Sequence, residues 1–350
     1  MRWKRGTLLL FFPVLFAACR QVPSTPRALL GQGSYEDPAA AKGVLSPPLR
    51  GRLYSDLRLV TEGTQGGAYD VDVSPDGARI VFSATFHSPL PKVFVKDIRK
   101  GGVIQKTSGP HRDIQPKFSP DGQWIAFASD REGNFDIQVI SARRNEAYWQ
   151  VTRSTGQEIH PTWSPDGRRI AYCALDEGDE QGEWSLWIVE LDGQKRTQLG
   201  PGLFPEWSPD GSRLVFQRPS RRGRGWYGIW TVEVEGGAPR EVVTSAEHGA
   251  IHPSWDPSSQ RIVYATARSP LDRPWEIPQA DDLWVIDLAG GPPYRLTEHP
   301  ASDYAPMWGL DGRVYFTSQR DGVPRIWSVR PFETPALFPR DRDVLSGEEE

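Results

Sequence analysis

The stretch "FSPDGQWIAFASDREGNFDIQVI", Phe118–Ile140, decides the fold. It places a turn tetrapeptide, an alternating apolar run, a second turn and another apolar run in order, which spells a β-meander. In Ser119-Pro120-Asp121-Gly122 the proline presets the backbone for the second position of a turn, and the glycine closes it without steric cost. The same tetrapeptide starts again at Ser74, Ser164 and Ser208, with degenerate copies "DPSS" from Asp256 and "GLDG" from Gly309. The steps between starts are 45, 45, 44, 48 and 53 residues. A turn needed once does not recur at such spacing, so the chain is built from repeats.

Each unit has one internal order. A first strand ends in an aromatic or apolar residue (Val73, Phe118, Trp163, Trp207, Trp255, Trp308) directly before the turn. A second strand follows: "RIVFSA", "WIAFAS", "RIAYCA", "RLVFQR", "RIVYAT", "RVYFTS". After a loop comes a third, such as "KVFVKD" or "DIQVIS", and a short fourth, such as "VIQKT". Four antiparallel strands in about 45 residues predict a blade of a β-propeller. The sixth unit lacks a fourth strand after Ile326–Val329, while an orphan strand, "LRLVTEG" (Leu57–Gly63), precedes the first unit. The expected fold is therefore all-β: a six-bladed propeller of four-stranded antiparallel blades, its ring closed by an N-terminal strand in the last blade.

"PKFSPDGQWIAFASDREGNFDIQVI" and "HPTWSPDGRRIAY" resemble the repeats of TolB-type, WD-repeat-like propellers. The resemblance runs through all six units and implies a propeller of the bacterial cell envelope. TolB itself carries an additional N-terminal α/β domain. Here the segment before the repeats reads as a tether, so the resemblance implies a lipoprotein member lacking that domain.

The expected organisation is a signal peptide over 1–18, a flexible tether over 19–51, the propeller over 52–331 and an unstructured tail over 332–350. "MRWKR" is a basic start, and "GTLLLFFPVLFAA" is apolar but too short to span a bilayer comfortably. "LFAAC" resembles the processing box of bacterial lipoproteins, which implies a lipid on Cys19; Arg20 in place of an aspartate implies the periplasmic side of the outer membrane. Residues 20–50 are rich in Pro, Ala, Gly and Ser, as a tether would be. The net charge is −4 and there is no basic stripe, which argues against a nucleic-acid partner. The second cysteine of the two, Cys173, lies in the apolar run "RIAYCAL" and reads as core.

Two candidate sites follow from the blade order. The loops between second and third strands and between blades share one face, and long loops on a rigid scaffold commonly bind. Blade 3 inserts the acidic "LDEGDEQGEW", blade 4 the basic "RPSRRGRGWYG" and blade 5 "RSPLDRPWEIPQADD". Arg221, Arg222, Arg224, Trp226, Tyr227 and Trp275 are the candidate partner-binding residues, being types enriched at interface hot spots. The second candidate is the channel rim. Asp70, Gln115, His160 and His252 stand four residues before their turns, and Asp113, Glu158 and Asp303 six before; Tyr304 adjoins them. Asp70, His160 and His252 come from alternate blades, and two histidines with a carboxylate suit a divalent transition metal.

The repeats consume the chain, and no Gly-x-Ser-x-Gly, His-Glu-x-x-His, P-loop or dinucleotide fingerprint occurs. The leading expectation is a monomeric, non-enzymatic, lipid-anchored envelope scaffold that binds a protein partner through its loop-rich face, with no firm cofactor. The alternative is a small-ligand-binding or metal-dependent carbohydrate-active propeller that uses the channel rim.

Overall fold

The computed structural model describes residues 54–62, 66–143, 148–176, 183–192, 195–219, 227–245, 247–267 and 280–332. Among them are 24 strands and no helix. The first strand, β1 (Tyr54–Leu59), is the orphan, and it begins three residues earlier than the sequence suggests. Blade 1 then consists of β2 (Ala68–Val73), β3 (Arg79–Ala84), β4 (Lys92–Asp97) and β5 (Val103–Gln105). Blade 2 is β6 (Asp113–Phe118), β7 (Trp124–Ser129), β8 (Asp136–Ser141) and β9 (Tyr148–Gln150). Blade 3 is β10 (Gln157–Trp163), β11 (Arg169–Leu175), β12 (Ser185–Glu190) and β13 (Arg196–Pro201). Blade 4 is β14 (Leu203–Trp207), β15 (Arg213–Pro219), β16 (Tyr227–Glu233) and β17 (Arg240–Val243). Blade 5 is β18 (Gly249–Trp255), β19 (Arg261–Ala267), β20 (Ala280–Asp287) and β21 (Tyr294–Arg295). Blade 6 takes β22 (Asp303–Trp308), β23 (Val314–Ser318) and β24 (Arg325–Pro331) from the C-terminal end and is completed by β1.

Closure joins the two ends of the chain. Tyr54 pairs with Pro331 and Leu59 with Trp327, antiparallel. Arg313, buried directly before β23, fixes β1: its guanidinium donates to Asp56 Oδ2 at 2.7 Å, to the Ser328 hydroxyl at 3.0 and 3.1 Å and to the Ser328 carbonyl at 3.2 Å. Both faces of each blade are covered by neighbouring blades, which is why the second strands read as continuous apolar runs with no polar alternation. Ile80, Val81 and Phe82 are all fully buried, as are Ile125, Ala126 and Phe127. The outermost strands β5 and β9 are short and exposed, limiting edge pairing.

The Ser-Pro-Asp-Gly turns are self-contained. In each of the four, the serine hydroxyl donates to the aspartate carboxylate at 2.5–2.6 Å and accepts the backbone N–H five residues on at 2.9 Å. The glycine takes φ between 64° and 76°, which a side chain would strain. These aspartates are thus committed through Oδ1 to turn geometry.

Blade junctions carry a second repeated device. The first residue of the second strand is an arginine in blades 1, 3, 4 and 5. Each lays its guanidinium over the aromatic residue that ends the next blade's first strand: Arg79 over Phe118, Arg169 over Trp207, Arg213 over Trp255 and Arg261 over Trp308, at 4.8–5.3 Å. Such contacts each contribute about 1 kcal/mol.

Candidate functional site

The first strands line the central channel, and each contains a β-bulge at the same place. The bulged residues are Asp70, Gln115, His160, Phe204, His252 and Ala305, all left-handed with φ of 48–56°. This conformation costs a non-glycine residue about 1 kcal/mol or more. Neighbouring blades compensate: the Gln115 N–H donates to the Ser83 hydroxyl at 3.0 Å, the His160 N–H to Gln115 Oε1 at 2.8 Å and the His252 N–H to Gln217 Oε1 at 2.8 Å.

The bulge corrects the expected rim. A strict two-residue period would put positions six and four before each turn on one channel-facing side, but the extra residue breaks that alternation. Asp113, Glu158 and Asp303 are therefore buried in the protein, not at an open rim. Asp113 meets Arg131 at 3.1 Å, His111 at 3.3 Å and Lys92 at 3.6 Å. Asp303 accepts two bonds from Arg320 at 2.9 and 3.0 Å. Glu158 meets Arg196 at 3.2 Å, and burial, reinforced by Asp136 beside it, pushes its carboxyl up to about 7. Tyr304 is half-buried, with its phenol raised by burial.

The proposed metal ligands are also not assembled as expected. The Phe204 ring lies 3.7 Å from the His160 ring and 4.4 Å from the His252 ring, centroid to centroid, so an aromatic side chain separates the two histidines. No group of three His, Cys, Asp or Glu side chains among the described residues is placed to hold a metal ion. Burial holds His160 well below its ordinary range and His252 at about 4, so both are neutral near pH 7. Asp70 is raised to about 6 by burial, against contacts with Ser83 and Gln115.

Two residues further along each strand the channel opens into a funnel on the Ser-Pro-Asp-Gly face, a cavity of about 160 Å³. Its walls are the turn prolines Pro75, Pro120, Pro165, Pro209 and Pro257 with Leu310, backed by the strand-ending aromatics. Its floor holds Asp72, Lys117, Thr162, Glu206 and Met307. Lys117 Nζ lies 3.4 Å from Asp72 Oδ1 and 3.7 Å from Glu206 Oε2, joining blades 1, 2 and 4 across the channel. Asp72 also accepts the Phe118 N–H at 2.8 Å, and Glu206 accepts the Trp255 N–H and the Ser254 hydroxyl, both at 2.9 Å. Burial raises both carboxyls while Lys117 opposes the rise; Lys117 itself is lowered by burial but raised on balance by the two acids.

The sequence reading missed this floor. Its trace lies in the column two before each turn, where "DVDV", "QPKF" and "FPEW" place two acids and a lysine beside strand-ending apolar residues.

The family model for the TolB beta propeller domain matches residues 68–269, more than half of the chain. The chain belongs to the TolB beta propeller domain family. Among solved structures, one from Agrobacterium tumefaciens assigned as a TolB superposes with a TM-score of 0.58 at 21% identity, covering 79% of this chain and 93% of that one. TolB of Acinetobacter baumannii gives 0.51 at 16% identity over 76% of this chain and 63% of its own. An oligogalacturonate lyase in complex with manganese gives 0.54 at 17% identity over 79% and 93%. At these identities the likeness is one of fold. A curated relative, the uncharacterised protein Atu1656 of Agrobacterium fabrum, is 30% identical over 110 residues; that alignment spans 30% of this TolB-family chain and about a third of the relative, 33%.

The remaining predicted residues fall elsewhere. Arg221, Arg222, Arg224, Trp226 and Trp275 lie outside the described residues, as does Cys19. Tyr227 begins β16 and is half-buried, its backbone paired with Pro219.

Proposed function

We propose that this protein is a non-enzymatic, lipid-anchored propeller of the cell envelope that holds a protein partner, with a segment of that partner seated in the funnel. The observation that carries this is the funnel floor. Each charged group there is already engaged, Asp72 and Glu206 with backbone N–H groups and with Lys117, so the floor supports recognition more than proton transfer. Turn prolines and Leu310, which is 58% exposed, give the mouth an exposed apolar collar that a partner segment can cover, around a charged floor that can orient it. Membership of the TolB family supports the envelope, and "LFAAC" supports an anchor at Cys19.

In-cell crosslinking followed by mass spectrometry tests this. A partner captured by the native chain and lost on Leu310→Asp supports the funnel. A partner lost instead on joint replacement of Arg221, Arg222, Trp226 and Trp275 by Ala moves the contact to the loop face. No partner in any arm refutes the scaffold reading.

A second reading gives the channel to a small polar ligand. Both ring nitrogens of His160 and the Gln115 amide nitrogen are buried without a hydrogen-bond partner among the described residues, which favours it. Under that reading His160→Ala with His252→Ala abolishes binding while Leu310→Asp does not.

A further inference from the structure

Five of the six first strands end in an aromatic ring, and four of those rings are covered by an arginine from the preceding blade. Among the described residues the exception is Trp163. The residue that would cover it is Trp124, where blades 1, 3, 4 and 5 have arginine. Trp124 instead meets Trp149 of its own blade's outermost strand edge-on, with ring centroids 4.7 Å apart. At this junction lies a surface cavity of about 550 Å³, lined by Trp124, Trp149 and Trp163 with Pro120 and Pro165. Arg313 of blade 6 fits the same rule from the other side. The next first strand ends in Val73, which has no ring to cover, and this arginine turns to Asp56 and Ser328.

We propose that this pocket binds the guanidinium of an arginine carried by a partner protein, which completes in trans the contact that the other junctions make within the chain. The other junctions show what the visitor meets. Arg79 Nη2 donates to the Gly122 carbonyl at 3.1 Å and Arg213 Nη2 to the Ser259 carbonyl at 3.0 Å, both on the last residue of the next turn. The matching acceptor here is the Gly167 carbonyl, on the pocket lining. Asp121 and Asp166 line the same pocket, each using Oδ1 inside its turn and bringing negative charge beside the ring. Three tryptophans with two carboxylates select a cation, and a planar guanidinium stacks where an ammonium does not. Trp149 is 37% exposed, so the pocket is reachable. The proposal is independent of the funnel, although Pro120, Trp163 and Pro165 border both.

The test is an NMR titration of the purified full chain, reading tryptophan indole N–H resonances assigned by single Trp→Phe variants. The probe is N-acetyl-arginine methylamide, with the uncharged citrulline analogue as control. The expected result is saturable shifts confined to Trp124, Trp149 and Trp163, with the citrulline analogue roughly tenfold weaker. Trp124→Arg supplies the missing guanidinium in cis, so it should abolish binding while melting no lower than the native chain. Should that variant fail to fold, Trp149→Ala, on a short outer strand, should weaken binding roughly tenfold. Equal shifts from both probes, full binding by a folded Trp124→Arg, or no saturable shift in the native chain would each overturn the proposal. None of these outcomes depends on the partner of the funnel.

Discussion

Replacing Lys117 by Met removes the cation that pairs with both Asp72 and Glu206. Methionine fills similar volume, so the effect is electrostatic. Two carboxylates then face the funnel floor without their counter-charge, and breaking a buried pair by removing one partner costs about 3–5 kcal/mol. The floor is partly open, with Lys117 25% and Glu206 17% exposed, which places the expected loss near the lower end, about 3 kcal/mol. For a propeller of this size that corresponds to a fall of about 5 °C in melting temperature. The pH dependence identifies the cause. Both carboxyls already titrate above their ordinary values through burial, with Lys117 opposing the rise, so its removal raises them further. A carboxyl raised in the folded state regains stability as pH falls through its folded pKa, because protonation removes the buried charge. The deficit of Lys117→Met should therefore be largest at pH 8 and shrink as pH falls toward 5. Calorimetry of both proteins across this range reads it. An equal deficit at both ends would mean that lost packing dominates, and no deficit at pH 8 would refute the account of the floor.

Three further outcomes follow, two from the structure and one from the proposed anchor. Arg313→Ala should destabilise the propeller by about 3 kcal/mol and strip hydrogen-exchange protection from Tyr54–Leu59 first, since this buried guanidinium ties β1 into the last blade. Asp70→Asn should raise the melting temperature at pH 7.5 and raise it far less at pH 4.5. The native carboxyl, raised to about 6 by burial, loses up to about 3 kcal/mol as pH climbs from its unfolded value through 6, and asparagine tolerates the left-handed backbone. The lipid anchor proposed at Cys19 on the sequence "LFAAC" predicts that Cys19→Ala moves the protein from the membrane to the soluble fraction and abolishes palmitate labelling, read by fractionation and autoradiography.

The propeller was legible because its turns announce themselves. Ser-Pro-Asp-Gly is chemistry local to six residues, so its spacing reports blade length without knowledge of any partner strand. The orphan strand showed the closure for a similar reason: β24 lacked a neighbour in sequence and β1 supplied one. The channel was not legible because a single bulged residue in each first strand breaks the alternation on which side-chain direction is read. That one residue sends Asp113 and Asp303 to arginines inside the protein while leaving His160 and His252 in the channel with Phe204 between them. Trp124 was invisible for another reason. It reads as an ordinary strand residue until the arginines at the other junctions reveal what it replaces.

The most direct test places a photo-crosslinking amino acid at Leu310, on the lip of the funnel, and in a second strain at Ile104, exposed on the outer edge of blade 1. Irradiation of living cells followed by mass spectrometry should give a discrete protein adduct from Leu310 and none of the same mass from Ile104. Adducts identical at both positions, or none at Leu310, would contradict a partner seated in the funnel.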